Sequence, residues 1–430
     1  MTGMRAARPS VTLPLAYLAS ATLAFVLAAV ATPWLAPELA GHYYHPRVLA
    51  LTHSITLGWI TLTIMGASFQ LIPIVLARPL WSERLAWWQL GLMIVGVVGM
   101  IGHFFIGAWS GLVWAAALVA LAVGAHLVNV ALTVRGLQRW TFTARMVTMA
   151  LAGLGLTTVV GFVLGLDKIF RFLPGALFAN LHAHVHLALL GWVLPMMIGV
   201  AARVYPMFLL APEPAGWPGR VQLWGVGLGA PAVALGLCGV PGLLVAGTVS
   251  VAAAVTGHLA WILTMVRSRK RPALDTGLRL VLTGALALSL AAVLGVALAF
   301  DLVAGPRVAL AYATLALGGW VSLTIAGMLL KIVPFLVWYR AYAPWAGRAP
   351  VPALAELSCA RGERLASRLL SAGIVALAVA LWIGDPAWIR VAGSVVAAGA
   401  LALAATLARV LTHLRRRAPR AADALAVRTA

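Results

Sequence analysis

Carboxylates are the scarcest functional groups in this chain. Its 430 residues hold 10 Asp and Glu against 31 Lys and Arg, for a formal net charge of +21. None of the ten falls inside a long apolar run, which excludes the intramembrane Asp/Glu chains of a proton pump. Cysteine is nearly absent as well. Cys238 falls in a predicted span and Cys359 in a long inner loop, so the two cannot face each other across a membrane and there is no disulfide framework. No CxxCH occurs, which excludes the usual covalent attachment of a c-type haem. Walker, GxSxG and HExxH motifs are missing too. So are ten-residue segments of alternating polarity, which excludes a membrane β-barrel.

Apolar side chains take the place of charge. Hydrophobic residues make up 63% of the chain, and its mean hydropathy of +1.00 belongs to an integral membrane protein. Because a bilayer core needs about 20 apolar residues per helix, the sequence predicts an all-α protein of twelve transmembrane helices. They cover 11–35, 47–77, 86–107, 111–134, 145–166, 181–210, 221–240, 242–266, 278–300, 308–338, 366–384 and 388–412. The first run follows Arg5 and Arg8 as in a signal peptide, but it exceeds a signal peptide's apolar region and is predicted to remain as the first span.

The cations sort into alternate loops. With the N-terminus inside, the inner side receives Arg5, Arg8, Arg78, Arg84, Arg135, Arg139, Arg145 and Arg220. It also receives Arg267, Arg269, Lys270, Arg271, Arg340, Arg348, Arg361, Arg364, Arg368 and a basic cytoplasmic tail over 413–430. Outer loops hold only Arg47, Lys168, Arg171, Arg307 and Arg390. This is the positive-inside pattern of a multi-pass protein with both termini cytoplasmic, read as a bacterial inner membrane protein. The lipid bilayer absorbs the charge, leaving no basis for nucleic-acid binding.

The chain also repeats itself. HSITLGWITLTIMGASFQLIP, HLALLGWVLPMMIGVAARVYP and TLALGGWVSLTIAGMLLKIVP align without a gap in the second, sixth and tenth spans. His53, His186 and Thr314 share one column, and Gly58-Trp59, Gly191-Trp192 and Gly319-Trp320 the next. Gly66, Gly199 and Gly327 follow, then Gln70, Arg203 and Lys331, then Pro73, Pro206 and Pro334. The reading is one membrane domain of three parallel pseudo-repeats of four helices, 11–134, 145–266 and 278–412. Each proline frees a carbonyl one turn earlier and predicts a kink. Arg203 and Lys331 lie about 25 Å past the histidine column, where long cationic chains snorkel to the inner surface.

NLHAHVHLALLGW places His182, His184 and His186 at every second position. On a helix, His182 and His186 share a face while His184 points nearly opposite. The three read as candidate metal ligands or as polar ties between helices, and a helix starting only near His184 would leave His182 in the outer loop. His53 and His186, at one depth in their spans, read as cofactor ligands or as hydrogen-bonded structural residues. His103, in GHFFIG, is a candidate to complete their site. His126 and His258 read as helix-to-helix hydrogen bonds. His42 and His45, in GHYYHP, read as interfacial. Asp167, Lys168, Arg171, Asp301 and Arg307 read as loop charges.

Twelve spans in three pseudo-repeats, with histidines near the outer ends of the second and sixth, resemble subunit I of the haem-copper oxidases. The likeness is to the cbb3-type oxidase and nitric oxide reductase branch, as a stand-alone divergent homologue. A weaker likeness is to the NnrS proteins, polytopic haem and copper proteins associated with nitric oxide. The resemblance implies that His53 occupies the position of a low-spin haem ligand and His186, or His182 one turn earlier, that of a copper ligand. The departures are large. The family's tenth span carries two histidines where this chain has AYATLALGGW, with Tyr312 and Thr314, and its seventh carries a His-His pair where VQLWGVGLGAPAVALGLCGV has none. An intact binuclear centre is therefore not expected. What the resemblance leaves as the expectation is a haem- or metal-binding protein with at most one haem b, less readily copper, near the outer face. Its candidate cofactor residues are His53, His186, His182 and His103, and its candidate metal residues His182, His184 and His186. The role would be electron transfer or nitric oxide or oxygen handling, with a respiratory electron donor and, if an enzyme, haem-dependent oxidoreduction. The alternative is a transporter or an assembly factor for respiratory complexes, using the three-fold helical core.

Overall fold

The computed structural model describes residues 11–76, 78–213 and 216–415. Arg5, Arg8 and the predicted tail's Arg416, Arg417 and Arg420 lie outside the described residues. Twelve long helices follow in order: α1 (Thr12–Ala31), α2 (Pro46–Pro73), α3 (Glu83–Ile106), α4 (Trp109–Val134), α5 (Phe142–Phe170) and α6 (Leu177–Leu209). Then come α7 (Trp217–Leu237), α8 (Leu243–Arg267), α9 (Thr276–Ala299), α10 (Pro306–Ala341), α11 (Ala360–Ile383) and α12 (Pro386–Arg415). The described residues include no strand. Eleven of the helices are long and apolar enough to cross a membrane. The exception is α7, which the sequence reads as a span over 221–240. Its apolar character is diluted by Arg220, Gln222, two prolines and five glycines.

The outward side chains fit a lipid solvent. Trp114 on α4 is 77% exposed and Val293 on α9 70% exposed, burial patterns that water would penalise and hydrocarbon would not. Three helices are far more enclosed than the rest. In their most apolar stretch, α2, α6 and α10 bury 67%, 72% and 78% of residues, against at most 50% in any other span. These are the three helices that carry the repeated motif.

Each of these three helices also contains a π-helical stretch. Ser54–Thr61, Leu187–Val193 and Thr314–Ser322 are π-helical. Each stretch closes on an amide bonded five residues back: Leu62 to Leu57, Leu194 to Leu189 and Leu323 to Gly318. A π-turn is rare, and it swings the residues after it to a new face. In α10 a side chain supports the wide turn, as Ser322 Oγ donates to Leu317 O at 2.7 Å.

By packing, the described residues within 1–74, 275–288 and 313–430 form one compact unit and those within 75–274 and 289–312 another. Both cut across the sequence thirds. In the first unit α2 lies against α1. Phe25 stacks on Trp59 with centroids 4.5 Å apart, and Gly66 touches Tyr17 so closely that any β-carbon would overlap it. Trp59 is wholly buried, and its Nε1 donates to Ser322 Oγ at 3.1 Å, joining the π-turns of α2 and α10. Gly327 of α10 meets the backbone of Gly277 on α9. In the second unit the corresponding glycine, Gly199 of α6, faces Met146 of α5, where an added β-carbon would lie 2.7 Å from that residue's Cβ. Gly153 of α5 touches the carbonyl of Gly191 in the π-turn of α6, backbone to backbone.

Candidate functional site

The histidine positions are set by helix geometry before any cofactor enters. His53 ends the α-helical part of α2 and His186 that of α6; in both, the π-turn begins at the next residue. Their local bonding is the same. Nδ1 of His53 pairs with Leu49 O at 2.7 Å, and Nδ1 of His186 pairs with His182 O at 2.8 Å. A carbonyl oxygen can only accept, so Nδ1 carries the proton in each ring and the neutral imidazole keeps its lone pair on Nε2. This is the outer-shell arrangement that fixes the tautomer and orientation of a ligating histidine. Around His53 the neighbouring hydroxyls also turn back on their own helix, Thr52 to Val48 O, Ser54 to Ala50 O and Thr56 to Thr52 O. These three hydroxyls are therefore satisfied within α2.

In the second unit His186 has a ring partner. Tyr312 stacks on it with centroids 5.9 Å apart and planes 14° apart, and Gly295 of α9 supplies the space behind the phenol ring. Tyr312 stands in the stretch where the resembled family places an imidazole; its contact with His186 was invisible in sequence because it spans more than a hundred residues.

The other candidates are dispersed. The helix of α6 begins at Leu177, which puts His182 inside it, one turn before His186 and beside the ring of Phe178 at 6.2 Å. His184 faces the other way, onto Gly161 of α5, where a β-carbon would come within 2.8 Å of its ring. His103 bonds Gly99 O through Nδ1 at 2.7 Å, and its ring packs directly on Gly111 of α4. Among the described residues no three His, Cys, Asp or Glu side chains come together as a metal-holding group.

Several of the charged residues have structural partners. Lys331 pairs with Asp275 at 2.5 Å, while Asp275 also caps the start of α9 through Leu278 N. Arg203 pairs with Glu213, so two members of the polar column end in ion pairs. On the outer loop His45 caps α2 by accepting from Arg47 N, and Arg47 pairs with Glu38 at 2.7 Å. Burial by itself would raise the Glu38 carboxyl, but the Arg47 hydrogen bond and charge outweigh it and hold the pKa below the ordinary range. Lys168 lies over the Trp109 ring at 4.9 Å, and Asp167 accepts from Leu173 N.

Comparison of the chain with protein-family models and with curated protein sequences finds no match.

Proposed function

We propose that this chain is a haem-binding inner-membrane protein of oxidase subunit I type, built of twelve spans in three pseudo-repeats of four, with both termini cytoplasmic. One observation carries the reading. His53 and His186, column mates in the internal alignment, each present a neutral imidazole with Nδ1 committed to a carbonyl one turn earlier, at the residue just before a π-turn. That donor chemistry fits an axial ligand to b-type haem iron. His53 would hold the iron in the first unit, and His186, with Tyr312 against its ring, is the second candidate ligand. A haem bound there would supply one-electron transfer or a site for a diatomic gas. The chain's own residues lock the imidazole orientation and surround it with apolar helices. Copper fits less well, since among the described residues no third imidazole or carboxylate joins His182 and His186. The three-repeat plan is supported by the matching π-turns and by Gly66, Gly199 and Gly327, each in contact with the preceding long-helix partner α1, α5 or α9.

Reduced-minus-oxidised absorption spectra of the purified protein test the reading. A b-type band is expected, lost in His53→Ala and weakened or shifted in His186→Ala. No band after haem supplementation would sink it. That outcome would turn attention to the second reading, transport or assembly, which Tyr312 and Thr314 favour by standing where the resembled family has histidines.

A further inference from the structure

Three helical hairpins in this chain share one close contact, and the enclosed pair two turns further along the seam differs among them. In each, a glycine of the first helix meets a valine of the second. A β-carbon on Gly96 would fall 2.9 Å from Val119 Cγ2, on Gly229 2.8 Å from Val251 Cγ2, and on Gly373 3.0 Å from Val396 Cγ2. About seven residues make two helical turns, so moving two turns inward from that contact on both helices stays on the same seam. The move pairs Gln89 with His126 in α3–α4, Gln222 with His258 in α7–α8, and Ala366 with Leu403 in α11–α12. All six side chains are enclosed, none more than 3% exposed.

The third hairpin demonstrates that alanine and leucine suffice to close this seam. An enclosed amide and imidazole are costly unless hydrogen-bonded, so packing does not call for them. In α7–α8 the amide is only half satisfied. Gln222 Nε2 donates to Pro218 O at 3.1 Å in its own helix. Gln222 Oε1 and His258 Nδ1, both enclosed, meet no hydrogen-bond partner among the described residues. The glutamine lies along α8, where a β-carbon on Gly257 would be 3.5 Å from its Cγ and 3.8 Å from its Nε2. A ligand for these atoms must fit a sealed helix seam, donate to an amide oxygen and bond an imidazole nitrogen. Water meets all three requirements.

We propose that the α7–α8 seam is a binding site for an internal water molecule, which donates to Gln222 Oε1 and hydrogen-bonds His258 Nδ1. The site makes His258 a hydrated, proton-exchangeable imidazole about 18 residues, or roughly 27 Å, from the outer turn of the hairpin. It does not depend on the haem reading. The same residue types stand at the same step of α3–α4, as Gln89 and His126.

The chain contains its own control. Gln222→Ala and His258→Leu each strand one polar group, whereas the double variant copies the pair of α11–α12. Apparent melting temperatures in detergent should fall by roughly 2–4 °C for each single variant, and the double should recover most of both losses. A cryo-EM map of the wild-type protein at water-ordering resolution should show density bridging Oε1 and Nδ1. Additive losses would overturn the proposal. So would a map in which the two side chains bond each other directly with no density between them, and that measurement stands even if a variant fails to fold.

Discussion

Replacing Gly153 with alanine should damage the π-turn of α6 more than any other single methyl in α5. The added carbon would overlap the carbonyl of Gly191 and lie 3.1 Å from Trp192 N. Both neighbours are backbone, so no side chain can rotate away. Overpacking of this kind costs about 1–3 kcal/mol, and the case sits toward the upper end. Alanine's greater helix propensity returns only about 0.5–1 kcal/mol. The net loss of about 2 kcal/mol should lower the apparent melting temperature by roughly 2–6 °C. Because Gly191 lies five residues past His186, the helix displacement should also perturb any signal that depends on that imidazole. Gly91→Ala is the matched control, since a β-carbon there meets nothing within 4 Å. It should be neutral or stabilising by about 0.5–1 kcal/mol. Fluorescence-detected size-exclusion melting of both variants in one detergent makes the comparison. If Gly153→Ala melts with Gly91→Ala, the backbone contact between α5 and α6 is wrong.

Three further outcomes follow from the same geometry. Ser322→Ala should strand the Trp59 indole donor and destabilise the first unit by about 1 kcal/mol; a melting temperature equal to the parent's in Ser322→Ala would remove that bond. The Glu38–Arg47 pair contributes stability that is fully present above the ordinary carboxylate pKa of 4.5 and is lost as pH falls through the lowered folded value. Glu38→Gln should therefore flatten the acid limb of the stability profile, and an unchanged limb would refute the coupling. The two native thiols report the orientation. A membrane-impermeant maleimide added to intact cells should label Cys238, which is exposed at the end of α7, and spare Cys359 until the cells are opened. Once reached, Cys359 should react below the usual thiol pH range, since amide donors at Gly362 and Arg361 lower its pKa. The reverse labelling pattern would invert the topology.

Much of the architecture was legible in the residues. Apolar runs of about 20 residues leave few alternatives to membrane helices, and the eleven apolar helices fall where those runs are. The repeated Gly, Trp and Pro columns located the three most enclosed helices, because close backbone approach needs glycine wherever the chain crosses. His182 and His184 were separable by helical angle alone. The site itself was less legible. Nothing in HLALLGW or TLALGGW spells a π-turn, which forms when packing against neighbours repositions the turn rather than from local propensity. The Nδ1 bonds of His53 and His186 follow from rotamers that the sequence leaves open.

By itself the sequence determined the apolar surroundings, the element type and the motif that recurs in α2, α6 and α10, because each depends on composition or on spacing along one chain. The tertiary structure alone decided that Tyr312 lies on His186, that Trp59 reaches Ser322, that Lys331 ends in Asp275, and that three hairpins share one seam with two different fillings. Those pairings join residues far apart in sequence, and only helix packing chooses among the partners that one helix face can meet.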